Sequence, residues 1–501
     1  MSEGRDAAPA RPRRVHELLD AAVAARPQAA AVTDPAGTWT WAELSGAVRG
    51  CAGWLAERGV GTGSRVVVVA ATDRRVVALL YACSVLDACF VPLAPDSGER
   101  YRRQVVADCG PDLVLTDADA LPSHALLTAA EAPAPAPPPA TPPPPTPAAG
   151  PEADQDGPAL LIYTSGSTGS PKGVVCPHPQ VLSACSAIAE RLRYQADDVV
   201  LCRLPLSFDY GLYQVLLCAL AACRLVLAGP GGDLGLLATA RRTGVTVVPL
   251  VPSLADLLLR LARRDTGPTR IRLFTNTGEA LAPAARAALR ERFAGARVQL
   301  MFGITECKRV AIMEPDGDLA RPHAVGRPLT GTTVDILGPG GEPLPAGETG
   351  EITVTGPHVM AGYWRAPELT RRTFRPDGPG GRVRLHTGDF GRLDADGYLY
   401  FAGRRDDVFK SNGVRTSVAE IESAARDVPG VTEAAFLPPG AGGPAVLYAV
   451  TDLTPEAVLR AVRRLLGPDK APARCLVAPA LPHGPNGKID RAALRTRQES
   501  R

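Results

Sequence analysis

The sequence predicts an α/β protein with a large N-terminal domain and a small C-terminal domain. Apolar, strand-like runs alternate with helical segments as far as residue 302, which is typical of parallel sheets covered on both faces. Residues 325–405 then change to short strands with Gly/Pro turns, which indicates a small β-subdomain. Residues 406–501 mix both patterns and are long enough to form a separate small domain.

The elements before residue 150 begin this alternation. Residues 15–60 are typical of a helix, a short hairpin and a second helix. Strands are predicted at 65–71, 89–95 and 112–117, with helices over 75–88 and 101–108 between them. Residues 132–150 consist almost entirely of Pro and Ala, which predicts an extended polyproline-type linker inside the N-terminal domain.

A second α/β series follows the linker. Predicted strands lie at 199–204, 224–228, 245–251, 271–276 and 297–302. Predicted helices lie at 179–193, 234–243, 252–264 and 282–293, and 206–220 reads as a turn that opens an amphipathic helix. We therefore expect another sheet covered by helices.

Composition excludes several classes of protein. A chain of 501 residues is expected to form two to four folding units. A net charge of +3 gives no reason to expect nucleic acid as a partner. The 11 cysteines lack CxxC spacing, which favours reduced thiols and argues against a zinc site. With no apolar run of membrane-spanning length, we expect a cytoplasmic protein with no membrane partner.

A loop rich in Ser, Thr and Gly separates two apolar runs within residues 160–175. Glycine lets backbone N–H groups approach an anion, hydroxyl groups donate further hydrogen bonds and lysine adds positive charge. The loop lacks the Gly-Lys-Ser/Thr order of a Walker A motif. It is a candidate phosphate-binding loop, and an ordinary surface turn is the alternative. Its candidate ligands are Thr164, Ser165, Gly166, Ser167, Thr168, Gly169 and Lys172.

Polar residues follow the predicted strand at 297–302. Thr305 and Glu306 lie where the carboxyl ends of α/β strands usually bind ligands. A threonine can bind phosphate and a glutamate can hold Mg²⁺, whereas a capping Thr-Glu pair is the alternative.

Three further polar sites lie nearer the C-terminus. Asp389, after Thr-Gly, suits the two hydroxyls of a ribose, and Arg404 lies at the end of the β-subdomain. Residues 394–397 are predicted to form a hairpin turn. Lys488 lies in an Asn-Gly-Lys loop, where a solvated lysine is the alternative.

The order of these motifs resembles the adenylate-forming superfamily, which contains acyl- and aryl-CoA synthetases, luciferases and nonribosomal peptide adenylation domains. The motifs are SGSTGSPKG, FGITE, GYWRAPELT, HTGD, GRRDDVFKSNG and NGK, and the resemblance covers essentially the whole chain. Phe302 departs from the tyrosine of most relatives, which keeps an aromatic surface for adenine but removes a hydroxyl.

The resemblance implies two doubly wound α/β subdomains plus the small β-subdomain in residues 1–405, and a small mobile α+β lid in 406–501. It implies ATP and Mg²⁺, an acyl-adenylate intermediate with release of pyrophosphate, and then attack by a thiol. Lys488 would act in adenylation, Thr305 on the α-phosphate and Glu306 on the metal. Further implied ATP ligands are Phe302, Gly303, Asp389 and Arg404, and implied hinge and thiolation residues are Asp406, Lys410 and Gly413.

Selection of the acid is expected to depend on Asp209, which the resemblance places on a substrate ammonium group. A helix N-cap is the alternative for Asp209. Lys308 and Arg309 form either a surface pair or an anchor for the far side of the substrate. Other pocket candidates by position are Tyr210, Tyr213, Thr275, Thr277, Gly278 and Met301.

The strings around Asp209 and Lys308 are similar to those of β-amino acid–carrier protein ligases of macrolactam biosynthesis. We expect an amino acid, in particular a β-amino acid and one like aspartate if the cations bind a carboxylate. The expected acceptor is a separate phosphopantetheinyl carrier protein, with coenzyme A as the alternative. An acyl- or aryl-CoA ligase, an α-amino acid adenylation enzyme and a non-catalytic relative are the competing hypotheses.

Overall fold

The computed structural model describes residues 12–95, 97, 99–116, 157–165, 171–229, 233–378, 382–404, 408–411, 414–438, 445–466, 471–484 and 488–499. The linker predicted at 132–150 lies outside these residues. The chain divides into two compact units. The first takes its described residues from Met1–Asp197, Leu212–Leu227 and Met360–Pro367, and the second from Asp198–Gly211, Ala228–Val359 and Glu368–Arg501.

The first unit is an α/β unit. Its helices are α1 (Glu17–Ala25), α2 (Trp41–Ala56), α3 (Arg74–Val85), α4 (Glu99–Cys109) and α5 (His178–Leu192). Its strands are β1 (Ala30–Asp34), β2 (Gly37–Thr40), β3 (Arg65–Val69), β4 (Cys89–Leu93), β5 (Leu113–Thr116), β6 (Pro158–Ser165), β7 (Pro171–Pro177), β9 (Arg224–Leu227) and β17 (Gly362–Tyr363).

A six-stranded sheet in the order β17-β7-β6-β4-β3-β5 dominates the first unit. Strands β3, β4 and β5 run parallel, and β6 pairs parallel with β4 before returning antiparallel through β7. Because helices cover such a sheet, the valines of β3 are buried on both faces. Thr40 and Glu43 form a capping box that starts α2. The predicted strands and helices of this region are confirmed to within a few residues.

The second unit holds the remaining elements. Helix α6 (Asp209–Leu220) begins in it. Its other helices are α7 (Leu236–Thr243), α8 (Pro252–Arg264), α9 (Pro283–Arg292), α10 (Gly317–Ala320), α11 (Pro367–Thr373), α12 (Val418–Arg426), α13 (Pro455–Leu466) and α14 (Arg491–Glu499). Its strands are β8 (Val199–Cys202), β10 (Val247–Leu250), β11 (Leu273–Asn276), β12 (Arg297–Phe302), β13 (Ala311–Ile312), β14 (Ala324–Pro328), β15 (Thr333–Leu337), β16 (Gly350–Thr355), β18 (Phe374–Pro376), β19 (Val383–Leu393), β20 (Leu399–Arg404), β21 (Val408–Ser411), β22 (Val414–Ser417), β23 (Val431–Leu437), β24 (Val446–Thr451) and β25 (Cys475–Val477).

One sheet of the second unit changes from parallel to antiparallel along its width. Strands β8, β10, β11 and β12 are parallel, as their apolar runs predict. The order then continues antiparallel through β13, β14, β20, β19, β16 and β15, which is the predicted β-subdomain. The predicted turn at 394–397 is confirmed, because Asp394 accepts backbone hydrogen bonds from Asp396 and Tyr398.

The C-terminal part, residues 408–499, has its own small cores. Strands β23, β24 and β25 form a three-stranded sheet on which α12 and α13 pack. The opposite apolar face packs with Leu481 and with Leu494 of α14. The mixed α and β character predicted after residue 405 is therefore confirmed.

Some element boundaries differ from the sequence prediction. The strand predicted at 245–251 is shorter, Val247–Leu250, and the helix predicted from 234 starts as a 3₁₀ turn at Asp233–Gly235. Helix α6 begins at Asp209, within the segment 206–220 that the sequence predicts as a turn opening a helix. Asp209 is therefore the first residue of the helix and not its N-cap residue.

Candidate active site

Predicted site residues of the second unit meet where two parallel strands end. Thr275 lies in β11, with Thr277 and Gly278 directly after it, and Met301 and Phe302 end β12. Because β11 and β12 are parallel neighbours, both ends lie at the same edge of the sheet. This edge is where ligands bind in open α/β sheets, as the sequence predicts for Thr305 and Glu306.

A tight turn after β12 carries the predicted catalytic and selectivity residues. A side chain at Gly303 would overlap the carbonyl oxygen of Lys308, so only glycine fits the close approach. Lys308 has a φ of 65°, and the Arg309 N–H donates to the Cys307 carbonyl at 2.7 Å. The turn leaves Thr305 and Glu306 half-buried, and the next three residues, Cys307, Lys308 and Arg309, are buried.

Lys308 and Arg309 are both buried, with 0% and 4% of their surface exposed. The interpretation of these two cations as a surface pair is therefore wrong. The Arg309 Nη1 atom donates to the Lys308 carbonyl at 2.5 Å, and its guanidinium lies over the Tyr210 ring at 4.9 Å from the centroid. A cation over an aromatic face in a dry site is stabilised by the ring quadrupole.

Asp209 faces Arg309 in this pocket. Its Oδ2 atom lies 3.8 Å from Arg309 Nη1, and both side chains are buried. The cationic partner that a buried carboxylate requires is therefore present in the chain itself. Beside the pair, the Tyr210 hydroxyl shares a 2.6 Å hydrogen bond with Thr275 Oγ1. We call these four residues, Asp209, Tyr210, Thr275 and Arg309, the acid pocket.

Two polar atoms of this neighbourhood have no hydrogen-bond partner among the described residues. They are Arg309 Nε and Thr277 Oγ1, and both residues are buried. A buried donor or acceptor without a partner costs about 1–3 kcal/mol, so such atoms are typical of a site that receives a polar ligand.

A second ion pair lies between β19 and β20. Asp389 is opposite Arg404 in the strand register, and Arg404 Nε donates to Asp389 Oδ1 at 3.1 Å. Asp389 is 1% exposed, whereas the Arg404 side chain is 65% exposed. Phe302 lies near Phe401 with ring centroids 5.1 Å apart. We call Phe302, Asp389 and Arg404, which are predicted to bind ATP, the nucleotide side of the site.

Lys488 lies beside Phe208 and the turn after β11. Its ammonium is 5.9 Å from the Phe208 ring centroid, and a Cβ at Gly278 would lie 3.8 Å from its Cε atom. The residue as a whole is exposed, yet desolvation and the Arg404 cation lower the pKa of the ammonium group, against Asp209, Glu279 and Asp389.

The predicted phosphate-binding residues belong to the first unit. Thr164 and Lys172 are directly opposite each other in the β6–β7 pair. The Lys172 ammonium lies 5.9 Å from the Tyr363 ring centroid. Tyr213, a predicted pocket residue on α6, is buried and also belongs to this unit.

Several predicted residues lie outside what the structure describes. They are Gly166, Ser167, Thr168 and Gly169 of the loop, and Asp406 and Gly413 of the hinge and thiolation segment. Ser165 ends β6, and Lys410 lies in β21 opposite Arg415.

The sequence patterns do not indicate three supporting sets of contacts. Glu351 accepts a hydrogen bond from the Gly388 N–H at 3.2 Å and lies 3.1 Å from His386 Nδ1, and so supports the turn before Asp389. His358 is buried and bonds to the Arg309 backbone. In the first unit, the Tyr163 hydroxyl donates to Asp108 at 2.7 Å beside the hairpin predicted to bind phosphate. These partners are distant in the sequence, and no local pattern indicates them.

The donor groups fit a magnesium ion held mainly by substrate. Among the described residues, no group of three or more His, Cys, Asp and Glu side chains is placed to bind a metal ion. Glu306 is a half-buried carboxylate beside Thr305. Mg²⁺ is commonly bound by one or two carboxylates together with phosphate oxygens and water.

Comparison with known proteins defines the class. The profile of the AMP-binding enzyme family matches residues 19–364. The chain belongs to this family of adenylate-forming enzymes, and it has the α/β fold predicted from the sequence.

Individual relatives share much of the chain. CymA, a probable non-canonical nonribosomal peptide synthetase of Salinispora arenicola (strain CNS-205), is 33% identical over 98% of this chain, but the chain spans only 6% of CymA. A sulfoacetate–CoA ligase of Cupriavidus necator is 32% identical over 83% of this chain and 79% of the ligase.

Among solved structures, VinN is 42% identical, covers 78% of this chain and 98% of VinN, and superposes with a TM-score of 0.68. VinN has been solved in complex with L-aspartate and with 3-methylaspartate.

No helix in the described part of this chain is long and apolar enough to cross a bilayer.

Proposed function

We propose that the chain activates an aspartate-like β-amino acid as its aminoacyl-AMP and then transfers the acyl group to the phosphopantetheine thiol of a separate carrier protein. The supporting observation is the acid pocket, which holds an anion and a cation side by side in a buried site. Asp209 would bind the substrate ammonium, and Arg309 would bind a second carboxylate that is not activated.

The hydrogen-bonding groups of the pocket favour an acid that carries an ammonium group and a second carboxylate. The Asp209–Arg309 contact of 3.8 Å is longer than a hydrogen bond, so both groups keep the capacity to bind substrate. Arg309 Nε has no hydrogen-bond partner among the described residues, and a carboxylate oxygen would provide one. An aliphatic acid would leave this donor unpaired.

L-Aspartate is itself a β-amino acid with respect to its side-chain carboxylate. Activation of that carboxylate leaves the other one for Arg309 and the ammonium for Asp209. The complexes of VinN with L-aspartate and 3-methylaspartate support the same class of acid for this chain.

The adenylation step requires neutralisation of charge and correct orientation of the acid. A carboxylate oxygen attacks the α-phosphorus of ATP, the bond to the bridging oxygen breaks and pyrophosphate leaves. A bound Mg²⁺ would supply charge neutralisation at the phosphates, and Glu306 is the residue we assign to it. Lys488, with Thr305, would stabilise charge at the reacting carboxylate and α-phosphate.

The remaining residues would bind the nucleotide and the leaving group. Asp389 would accept the ribose hydroxyl groups, with Arg404 beside it and Phe302 against the adenine. Lys172 and the 164–169 loop would bind the pyrophosphate portion. In the second step, the thiol sulfur attacks the acyl carbon, a thioester forms and AMP leaves.

ATP–pyrophosphate exchange with matched acids tests this proposal. We expect exchange with L-aspartate and 3-methylaspartate, weaker exchange with β-alanine and little with succinate. Rates that do not depend on the amino group would contradict amino acid activation and favour a CoA ligase, for which the sulfoacetate–CoA ligase is a relative. AMP release with carrier protein or coenzyme A as acceptor then identifies the thiol.

A further inference from the structure

A circuit of contacts in the first unit joins the β6–β7 hairpin to the end of helix α4. On β6, the Tyr163 hydroxyl donates to Asp108 Oδ2 at 2.7 Å. On β7, the Gly173 carbonyl accepts from the Trp364 N–H at 2.7 Å, and Trp364 Nε1 donates to the Asp108 carbonyl at 3.2 Å. We call these four residues the hairpin anchor. The proposed mechanism assigns a role to none of them.

The aromatic ring of Tyr163 closes the circuit by lying across Gly173. The two residues are directly opposite each other in the β6–β7 register. A Cβ atom at position 173 would lie 2.8 Å from Tyr163 Cζ and 3.1 Å from the hydroxyl oxygen, which is closer than a side chain can approach without a shift. Glycine is therefore the residue that lets the tyrosine lie against β7.

The acceptor residue of the hairpin anchor is held from several sides. The Asp108 carbonyl also accepts from Arg365 Nη1 at 2.9 Å. Arg65 Nε, from β3, donates to the Cys109 and Gly110 carbonyls at 3.1 and 2.9 Å. The last carbonyl groups of a helix have no partner within the helix, so these arginines satisfy them and fix the end of α4. Asp108 is therefore a fixed point to which the hairpin is bonded.

The Tyr163 hydroxyl is a constant donor in this arrangement. Tyr163 is 7% exposed, and its burial, followed by the hydrogen bond to Asp108, raises the pKa of the phenol. The hydroxyl group therefore stays protonated at neutral and moderately alkaline pH. A hydrogen bond to a charged acceptor is about twice as strong as one between neutral groups.

The hairpin anchor lies next to two residues that are predicted to bind phosphate. Thr164 follows Tyr163 on β6, and Lys172 precedes Gly173 on β7. Thr164 and Lys172 are themselves directly opposite each other. The Lys172 ammonium also lies 5.9 Å from the Tyr363 ring centroid. Because neighbouring residues share the strand backbone, a bond that fixes Tyr163 to α4 also fixes the backbone of Thr164 and Lys172.

We propose that Tyr163 is a positioning residue for the nucleotide, which acts through its bond to Asp108 and holds Thr164 and Lys172 at the β- and γ-phosphates of ATP. The inference rests on the phosphate-binding role proposed for this hairpin. It adds a function for two residues that are not themselves phosphate ligands. Its effect is confined to nucleotides that carry these phosphates, so binding of AMP does not depend on it.

Nucleotide binding to the full-length enzyme without any acid tests the inference, because no adenylate forms. For Tyr163→Phe, we expect the Kd of MgATP, measured by isothermal titration calorimetry, to rise about fivefold or more, since a hydrogen bond to a charged group is lost. The Kd of AMP should stay within about twofold. Tyr101→Phe, at a half-buried tyrosine of α4, is the matched control and should alter neither value. An unchanged Kd of MgATP, or an equal weakening of AMP, would overturn the proposal.

Variants of Asp108 test the same bond from its other end. Asp108→Asn keeps an oxygen that can accept from the tyrosine, so its Kd of MgATP should stay within about twofold of the wild type. Asp108→Ala should raise this Kd about as much as Tyr163→Phe does. Asp20→Ala, at an exposed position of α1, is the control for the alanine change. Equal Kd values for Asp108→Asn and Asp108→Ala would contradict a role for the hydrogen bond.

A comparison of combined variants separates failure of this inference from failure of the proposed function. In a Thr164→Ala/Lys172→Ala background, Tyr163→Phe should cost less than about twofold, because the residues through which it acts are gone. A full fivefold cost in that background would contradict positioning. If the Thr164→Ala/Lys172→Ala change weakens MgATP but Tyr163→Phe does not, only the inference fails. If the Thr164→Ala/Lys172→Ala change leaves the Kd of MgATP unaltered, the proposed role of the hairpin fails and the inference fails with it.

Discussion

The two ion pairs of the second unit differ in how they meet water. In the acid pocket, Asp209 and Arg309 are both buried, with 6% and 5% of their side-chain surfaces exposed. On the nucleotide side, Asp389 is buried but Arg404 is 65% exposed. Asp209 and Arg309 both lose their hydration when they are buried, and each is stabilised by the other. Arg404 remains hydrated, so only Asp389 loses its hydration in the second pair.

In the proposed function, this difference separates selection of the acid from binding of the nucleotide. A buried pair is costly to leave unsatisfied, so it discriminates strongly between acids that do and do not match its charges. A half-exposed pair contributes little energy and can separate easily, which suits a residue at the end of a strand next to the segment predicted as a hinge.

Breaking the buried pair is expected to give the largest effect on stability. Arg309→Leu would leave the Asp209 carboxylate buried without its cation, which costs about 3–5 kcal/mol. Urea unfolding monitored by circular dichroism measures the loss. The double variant Asp209→Asn/Arg309→Leu should recover part of it, and a single variant as stable as the wild type would show that the pair is not buried in solution.

Removing Lys488 is expected to affect chemistry without comparable loss of stability. Lys488→Ala should lower pyrophosphate exchange by roughly 3–4 kcal/mol of transition-state free energy, which is several hundredfold. Attack of pantetheine on supplied aminoacyl-adenylate should be retained. Arg495→Ala, an exposed cation of α14, is the control, and an equal fall of both half-reactions would contradict the role given to Lys488.

His358 should make the free energy of unfolding depend on pH below about 6.5. Desolvation lowers its pKa from 6.5 to about 4, against a hydrogen bond with the Arg309 backbone. The unfolded chain therefore binds a proton more readily than the folded one, so this stability is present above pH 6.5 and is lost as pH falls towards 4. The loss at the acid end is up to about 3 kcal/mol.

Comparison with a variant that cannot titrate isolates this contribution. The His358→Asn variant should lack this pH-dependent contribution. The free energy of unfolding of the wild type should therefore fall relative to that of the variant as pH is lowered from 7.5 through 4. Unfolding free energies measured in urea at several pH values give the two slopes. Parallel slopes would show that His358 titrates normally in the folded protein.

The exposed arginine of the nucleotide side should give the smallest change in stability. Arg404→Ala should alter the free energy of unfolding by less than about 1 kcal/mol, since its guanidinium is already hydrated. The KM for ATP should rise severalfold if Arg404 helps Asp389 to hold the ribose. A loss of stability as large as that of Arg309→Leu would remove the distinction between the two pairs.

Much of the second unit could be predicted because parallel strands are buried on both faces and so appear as apolar runs. Because ligands bind at the carboxyl ends of parallel strands, the sequence also predicts that Thr305 and Glu306 follow β12, and the structure has them just after that strand. The first residue of α6 could not be predicted, because Ser207 and Asp209 are both acceptable near a helix start.

The burial of Lys308 and Arg309 in the turn after β12 also could not be predicted from the sequence. Two adjacent cations normally lie in water, and only the close approach of Gly303 to Lys308 shows why the turn buries them. His358 and Glu351 support the site from residues that are distant in the chain, so their roles depend on tertiary packing.

The most direct measurement compares kcat/KM for pyrophosphate exchange with L-aspartate, β-alanine and succinate in the wild type and in Arg309→Gln. Losing one partner of a buried charge pair costs about 2 kcal/mol or more, so the wild type should prefer L-aspartate to β-alanine at least ~30-fold. Arg309→Gln should reduce this preference to near unity while it still rejects succinate, which lacks the ammonium group. A wild type that uses the three acids equally would contradict the assignment of the buried pair to selection of the acid.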